Sequence, residues 1–442
     1  MRLHISGLQG SAAALLLAGL PEYGTTTLFI ANDPEEAGYL YNDFMQIRND
    51  NRVLFFPSGY KRALKYGQTD PAADILRTDT INRLQQADES LIVVTYPEAL
   101  CEKVASNEEL HRNTLRLAKG EKCDLASVAD FLTGYGFERV DYVYEPGQFA
   151  VRGSIVDVYS FSSDLPYRID TFGDEIESIR AFNIDTQLSQ DPVNEIFIIP
   201  DLQAGSTSGI SLLQFIDKNT LLAVKDLAWV LERMHSVATD TISQQLLLTE
   251  EGDLHAKEKL IDTDDFSRYV LDFKRIDYGV KSFRDETGAT LSLNCSPQPI
   301  YHKNFDLVSE SFSSLLQDGY KLYILSDSEK QTQRIANIFE DKGENIPFTP
   351  VSKTLHEGFI DNELHLCFFT DHQLFDRFHK YQLRSDKARS GKLALSLKEL
   401  RQFEVGDYIV HIDHGVGKFG GLFRTELNGS MQEVIKLIYQ ND

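Results

Sequence analysis

The segment at residues 144–189 constrains the fold of this chain most, because its apolar and polar residues alternate at the period of a β-strand. Side chains point alternately to the two faces of a strand, so Arg168, Asp170 and Phe172 share one face of the strand predicted at 167–172. Arginine and large aromatic residues are common anchors of protein interfaces. The segment therefore predicts a recognition surface. The alternative is a half-buried hairpin whose arginines reach into water.

The amino terminus has the strand, glycine turn and helix layout of a phosphate-binding loop, in the order LHIS, GLQGS and AAALLLAGL. Gly7 and Gly10 keep the turn, but Ala12, Ala13 and Ala14 stand where the final glycine, the lysine and the hydroxyl residue would be. The groups that polarise the outer phosphates and hold magnesium are thus missing. We expect no nucleotide hydrolysis here. The alternative is a simple helix-entry turn with no nucleotide-binding ancestry.

Strands and helices alternate in the first part of the chain, where TTLFIA, RVLFF and SLIVVT flank helices predicted at 35–47 and 71–86. This order is typical of a doubly wound α/β domain with a parallel sheet. A helix predicted at 125–135 then opens an inserted module. Its strands, including a hairpin that turns at Gly173–Asp174, run to about residue 199.

A second, smaller alternation follows, in which KLYILS and HLCFFT are short apolar runs suited to a buried parallel sheet. His365, His372 and His379 recur at intervals of seven without carboxylate or cysteine partners. We interpret them as ordinary surface or core histidines and not as metal ligands.

The composition changes sharply between residues 376 and 402, which contain eight Lys or Arg and three Asp or Glu. This change predicts a basic linker, with contact to DNA or to an acidic protein face as the alternative. Beyond it, short strands turned by HGVG and by Asn428–Gly429 predict a small barrel. Three strands leave a barrel edge unpaired, so we expect an amino-terminal fragment that ends within this barrel.

The charge balance favours protein partners, because 44 Lys and Arg face 67 Asp and Glu and leave a formal net charge of -23. Such a charge repels phosphate backbones at long range. The four cysteines are far apart and form no CxxC pair, so neither a zinc site nor a disulfide framework is indicated. No apolar run approaches the ~20 residues that span a bilayer, and we expect a cytoplasmic protein without a membrane partner.

Two stretches resemble a known family in their residues, order and spacing. EPGQFAVRGSIVDVY, PYRIDTFGDEIESIRAF and DTQLS, at residues 145–189, resemble the UvrB-like domain that bacterial transcription-repair coupling factors share with the excision-repair protein UvrB. GDYIVHIDHGVGKFGGL, at residues 406–422, resembles the RNA-polymerase-interacting domain of the same family, which is similar to CarD proteins.

The resemblance implies an α/β multidomain protein. Its expected parts are a UvrB-like degenerate P-loop domain with a parallel sheet (1–113 and 199–290), an inserted α+β UvrA-docking module (114–198), a small α/β domain (291–378), a basic linker (379–402) and a truncated CarD/Tudor-like β-barrel (403–442).

The same resemblance implies an adaptor that couples stalled RNA polymerase to the recruitment of UvrA at DNA lesions. The family's UvrA-binding residues fall on Arg152, Arg168 and Phe172 of this chain. Contact with the polymerase β subunit is expected to be weak or absent, because its site is incomplete. In relatives, DNA, ATP and Mg are bound mainly by motor domains that lie downstream and act as an ATP-dependent translocase. We therefore expect no cofactor and no enzymatic activity for this chain itself.

Two rival interpretations come from other classes of protein. An excision-repair enzyme like UvrB is disfavoured by the missing loop lysine and by the polymerase-binding segment that follows the module. An acidic scaffold unrelated to repair would explain the charge and the lack of catalytic residues, but not two family resemblances in order.

Overall fold

The structure, a computed structural model, describes residues 1–59, 71–86, 89–161, 163, 165–184, 186–200, 209–248, 260–279, 288–379, 381, 406–411, 415–427 and 430–439. It forms two compact units, at residues 1–385 and 386–442.

The strands are β1 (Arg2–Ser6), β2 (Thr27–Ile30), β3 (Val53–Phe55), β4 (Ile92–Thr95), β5 (Leu115–Ala118), β6 (Glu138–Arg139), β7 (Gln148–Arg152), β8 (Ile155–Val158), β9 (Tyr167–Phe172), β10 (Glu175–Phe182), β11 (Ser189–Val193), β12 (Glu195–Ile198), β13 (Leu221–Val224), β14 (Lys274–Asp277), β15 (Ala289–Ser292), β16 (Cys295–Pro297), β17 (Lys321–Leu325), β18 (Thr349–Val351), β19 (Phe359–Asp361), β20 (Leu366–Thr370), β21 (Tyr408–His411), β22 (Gly415–Leu427) and β23 (Ser430–Ile438).

The helices are α1 (Ala12–Leu17), α2 (Pro34–Arg48), α3 (Pro71–Gln86), α4 (Pro97–Cys101), α5 (Asn107–Asn113), α6 (Leu125–Gly134), α7 (Leu212–Phe215), α8 (Leu227–Leu248), α9 (Thr263–Val270), α10 (Phe305–Gln317), α11 (Glu329–Asp341) and α12 (Asp371–Leu374), with a 3-10 helix at Leu20–Tyr23.

The first sheet has seven strands in the order β15-β1-β14-β13-β2-β4-β3, and every described neighbour pair is parallel. Its central strands β2 and β4 are buried at every position, because helices cover both faces of such a sheet. The predicted parallel sheet is confirmed. Four of its strands precede the inserted module and three follow it, and the edge strand β15 crosses the domain boundary predicted at residue 290.

The inserted module is a six-stranded sheet in the order β11-β10-β9-β8-β7-β6, antiparallel except for the β6 and β7 pair. One face of the sheet and helix α6 enclose an apolar core that includes Leu132, Phe149 and Ile169. A separate two-stranded antiparallel ladder, β5 with β12, joins the incoming and outgoing chain of the module.

The third region of the first unit is a five-stranded mixed sheet in the order β16-β19-β20-β17-β18. Strands β17 and β20, which contain KLYIL and LCFFT, are parallel neighbours as predicted. His365 stacks on Tyr320, and His372 stacks on His379. Within the described ranges no group of His, Cys, Asp and Glu is arranged to hold a metal ion.

The second unit contributes three described strands, which form an antiparallel sheet in the order β21-β22-β23. Both turns between these strands, including the predicted Asn428–Gly429 turn, lie outside the described residues. Of the predicted basic linker at 379–402, only residues 379 and 381 are described.

Among the helices that the structure describes, none is long and apolar enough to cross a membrane. All four cysteines are free, and three of them are buried.

Candidate protein-docking site

Strand β9 presents two chemically different faces. Ile169 and Thr171 are buried, whereas Arg168 and Asp170 on the other face are partly exposed. Phe172 is 81% exposed and has no ring contact with another described residue. The alternation predicted from the sequence is confirmed, and it leaves an aromatic side chain open to solvent at the end of the strand.

Two tight turns set the position of the outer residues. Gly173 adopts a φ of +67° and, with Asp174, links β9 to β10 as predicted. Gly153 adopts a φ of +61° and turns β7 back into β8, directly after Arg152. These left-handed conformations suit glycine, and each turn places a candidate docking residue at a strand end.

Asp157 on β8 is the central residue of this face, and its side chain is fully buried. Arg168 lies directly opposite it in the β8 and β9 register. The Nε and Nη2 groups of Arg168 donate to the two carboxylate oxygens of Asp157 at 2.7 and 2.9 Å. Nη2 of Arg152 donates to one of the same oxygens. One buried carboxylate therefore holds both candidate arginines.

Each guanidinium group has further support. Nη1 of Arg168 donates to the carbonyl oxygen of Gln187 at 3.3 Å, and its Cζ lies 4.7 Å from the centre of the Phe182 ring. Nη1 of Arg152 donates to the carbonyl oxygen of Asp141 at 3.2 Å, and its Cζ lies 5.0 Å from the centre of the Tyr142 ring.

Neither arginine is fully enclosed. The side chain of Arg168 is 22% exposed and that of Arg152 is 39% exposed. The hydrogen bond to Asp157 raises the pKa of Arg168, so this side chain stays charged at every physiological pH. Arginine carries five N–H donors, and each of these two side chains retains donors that its contacts with the described residues do not use.

Sequence reasoning missed two residues of this face. Asp157 is the acidic residue within the apolar run IVDV, and a buried acid requires an internal cation. An acidic residue within a short apolar run could therefore have been identified from the sequence. Arg180 lies opposite Arg168 on β10, is exposed and forms no ion pair with a described residue. Tyr142 and Leu188 of the same module are also more than half exposed.

The glycine loop after β1 is packed against other parts of the unit. Gly7 and Gly10 have φ values of +81° and +51°. A Cβ atom at Gly7 would lie 1.7 Å from the carbonyl oxygen of Leu293, and one at Gly10 would lie 2.8 Å from that of Gly358. Both glycines therefore permit close approach of protein backbone.

The start of helix α1 is occupied by a neighbouring loop. The backbone N–H of Ser11 donates to the carbonyl oxygen of Glu357 at 3.1 Å, and the N–H of Glu357 donates to Oγ of Ser11 at 3.0 Å. Backbone N–H groups at such a position bind phosphate in nucleotide-binding loops. Ala12 and Ala14 are buried and Ala13 is partly buried, so the first turn offers no polar side chain.

A cavity of about 750 Å³ lies beside this loop. Its described lining has five carboxylate residues and one lysine: Asp33, Glu35, Glu36, Asp43, Glu357 and Lys225. Lys225 is paired with Glu36. The lining is therefore acidic, which is unfavourable for a phosphate group.

Asp43, on helix α2 beside the glycine loop, contacts the small α/β region. Its Oδ1 accepts a hydrogen bond from the backbone N–H of His356 at 2.7 Å. Burial raises the pKa of Asp43 to about 7. Burial, together with the charges of His372 and His379, lowers the pKa of His356 to about 4, so its ring is neutral at pH 7.

The fold and this face together define a multidomain α/β protein that carries an inserted sheet module with an exposed surface of arginines and aromatic residues. Two segments of the chain match known protein-family models. Residues 115–203 match the UvrB interaction domain, and residues 403–442 match the CarD-like/TRCF RID domain. All three predicted docking residues lie within the first match.

The chain is also similar along 99% of its length to transcription-repair-coupling factors. It is 24% identical to the protein of Bacillus subtilis (strain 168), 21% to that of Staphylococcus aureus (strain bovine RF122 / ET3-1) and 23% to that of Staphylococcus epidermidis (strain ATCC 35984). It covers 43% of each of these relatives. The resemblance inferred from the sequence is confirmed.

Proposed function

We propose that this chain is the adaptor part of a transcription-coupled nucleotide excision repair factor, which recruits UvrA to the site of a stalled RNA polymerase. One observation carries the proposal. The segment that matches the UvrB interaction domain presents two guanidinium groups, of Arg152 and Arg168, on the same face of the sheet as the exposed ring of Phe172.

The docking step uses three contacts. Phe172 fills an apolar pocket on UvrA, since a ring that is 81% exposed gains most by burial in a complex. The outward N–H groups of Arg152 and Arg168 donate to carboxylates of UvrA. Losing one charged partner of such a buried pair costs roughly 2 to 5 kcal/mol.

The carboxy-terminal segment supplies the second proposed contact. Its match to the CarD-like/TRCF RID domain supports binding to the RNA polymerase β subunit. The relatives are more than twice as long as this chain. We assign DNA binding, ATP, Mg and the translocase that displaces polymerase to further domains of such longer proteins. Since both proposed partners act on DNA, we propose a cytoplasmic location for this function.

The glycine loop of the first sheet is proposed to be the remnant of a UvrB-like P-loop that no longer binds nucleotide. Three observations support this. Alanines occupy 12–14, the carbonyl oxygen of Glu357 occupies the start of α1, and the adjacent cavity is acidic. A nucleotide phosphate would have to displace a protein loop and then meet carboxylates.

The proposed UvrA contact is tested by calorimetry of the purified chain with UvrA. We expect wild type to bind, and the double variant Arg152→Ala with Arg168→Ala to bind at least tenfold more weakly. A matched control is Arg268→Ala with Arg334→Ala, which removes two exposed arginines outside the module. Failure of wild type to bind UvrA would overturn the proposal, and equal binding by the first double variant would remove these arginines from the site.

A further inference from the structure

We call the face of the inserted sheet that carries Arg152, Arg168 and Phe172 the docking face. Asp157 is buried at its centre and cannot touch a partner itself. The three hydrogen bonds that its carboxylate accepts from described residues all come from the two arginines that are proposed to touch UvrA. A buried carboxylate is costly without cationic partners, so Asp157 and the two guanidinium groups depend on one another.

The geometry of both guanidinium groups follows from this shared carboxylate. Arg168 is held in a two-point contact with Asp157 and rests on the ring of Phe182, which is fully buried. Arg152 is held by the same carboxylate and by the ring of Tyr142. Two long side chains that are flexible in isolation thus present their remaining N–H groups in fixed directions.

Charge alone predicts the opposite role for Asp157. Its carboxylate offsets one of the two guanidinium charges, so it should weaken the attraction for an acidic partner. Charge and geometry therefore give opposite expectations for its removal, and an experiment can separate them.

We propose that Asp157 is the positioning residue of the docking site. It acts through Arg152 and Arg168, and it orients them for a UvrA surface that carries carboxylates at a matching spacing. This inference rests on the proposed function and deepens it.

The decisive comparison is Asp157→Asn against Asp170→Asn. Each change removes one negative charge from the same face, but Asp170 accepts a hydrogen bond from Oγ of Ser154 and holds neither arginine. By calorimetry with UvrA we expect at least tenfold weaker binding for Asp157→Asn, and unchanged or tighter binding for Asp170→Asn. Unchanged or tighter binding by Asp157→Asn, with wild type binding normally, would overturn this inference and leave the proposed function intact.

A double-mutant cycle separates positioning from a general effect on folding. In the background Arg152→Ala with Arg168→Ala, adding Asp157→Asn should weaken UvrA binding by less than twofold, because the residues it orients are gone. A further loss as large as in wild type would contradict the proposal.

A second variant keeps the test open if Asp157→Asn fails to fold. The pair Arg152→Lys with Arg168→Lys preserves both charges and still neutralises Asp157, but lysine has no planar fork for a two-point contact. We expect at least fivefold weaker binding to UvrA with a melting temperature close to that of wild type. Binding equal to wild type would show that only charge matters and would overturn the proposal. If the wild-type chain does not bind UvrA, the result would instead count against the proposed function.

Discussion

The docking face contains one buried carboxylate, that of Asp157, and another, that of Asp43 on α2, lies beside the glycine loop. The two differ in their hydrogen-bond partners. Asp157 is bonded by the guanidinium groups of Arg152 and Arg168, which reach the surface beyond it. Asp43 is bonded by the backbone N–H of His356, from a neighbouring part of the fold that covers it. Asp157 therefore supports two side chains that remain partly exposed, whereas Asp43 binds a neighbouring loop that covers it.

In the proposed function, the glycine loop has lost a phosphate ligand and kept its turn. Gly7 and Gly10 lie where protein backbone approaches closely. On the docking face, Asp157, the polar residue within the apolar strand β8, accepts hydrogen bonds from both arginines that are proposed to bind UvrA.

The largest expected effect is on stability, from Gly7→Ala. Its Cβ would overlap the carbonyl oxygen of Leu293 at a φ of +81°, so we expect a loss of about 3 kcal/mol or more. Gly24→Ala is the matched control, because its φ is +72° but nothing lies within 4 Å, and it should cost about 1 kcal/mol. The single tryptophan, Trp229, lies on α8 beside the first sheet and reports urea unfolding by fluorescence. Equal costs for the two variants would refute the packing role of Gly7.

Asp43→Asn is expected to change how stability depends on pH. Burial raises the folded-state pKa of Asp43 to about 7, so its contribution is complete below about pH 4 and is lost as pH rises through 7. Asparagine cannot ionise, so the stability of the variant relative to wild type should increase by about 2.5 kcal/mol between pH 5 and pH 8. The measurement is urea unfolding at both pH values.

The buried His372 gives a pH dependence of stability that is opposite in sign to that of Asp43. Burial lowers the pKa of His372 to about 4, so its contribution is present above about pH 6.5 and is lost as pH falls toward 4. Comparing variant with wild type at each pH cancels this effect. Asp130→Asn, at an exposed position of α6, is the control and should show no pH-dependent difference. A pH-independent difference for Asp43→Asn would contradict the assignment.

Phe172→Ser tests the aromatic part of the docking face. We expect about tenfold weaker binding to UvrA, because the ring would no longer fill its pocket. Stability should stay within about 0.5 kcal/mol, since the ring is exposed in the free chain. Tyr23→Ser, at an 86% exposed position outside the module, is the control and should alter neither quantity. Normal UvrA binding by Phe172→Ser would exclude the ring from the interface.

The smallest expected effect is that of Ala13→Lys. It restores a lysine to the loop, yet the carbonyl oxygen of Glu357 still occupies the start of α1 and the cavity stays acidic. We expect no heat of binding when ATP with Mg is titrated into the variant. Measurable binding would mean that the missing lysine alone abolished the site, and that the neighbouring loop is easily displaced.

The features that were predictable from the sequence are local. Alternation fixed the two faces of β9, glycine marked the turn at 173, and short apolar runs identified the parallel strands. The partners of the predicted residues were not predictable, because they depend on strand register and domain packing. Asp157 meets Arg168 only through the β8 and β9 register, and Glu357 meets Ser11 across 346 residues of sequence.

The ladder of β5 with β12 has a consequence for how such a protein evolves. Leu115 pairs with Ile198 and Ala118 pairs with Glu195, so the chain leaves the host domain and returns to it at neighbouring points. Lengthening a loop whose ends already meet costs little conformational entropy. The inserted module between β5 and β12 can therefore be enlarged or replaced at a small entropic cost. A change of binding partner then does not require a change in the parallel sheet.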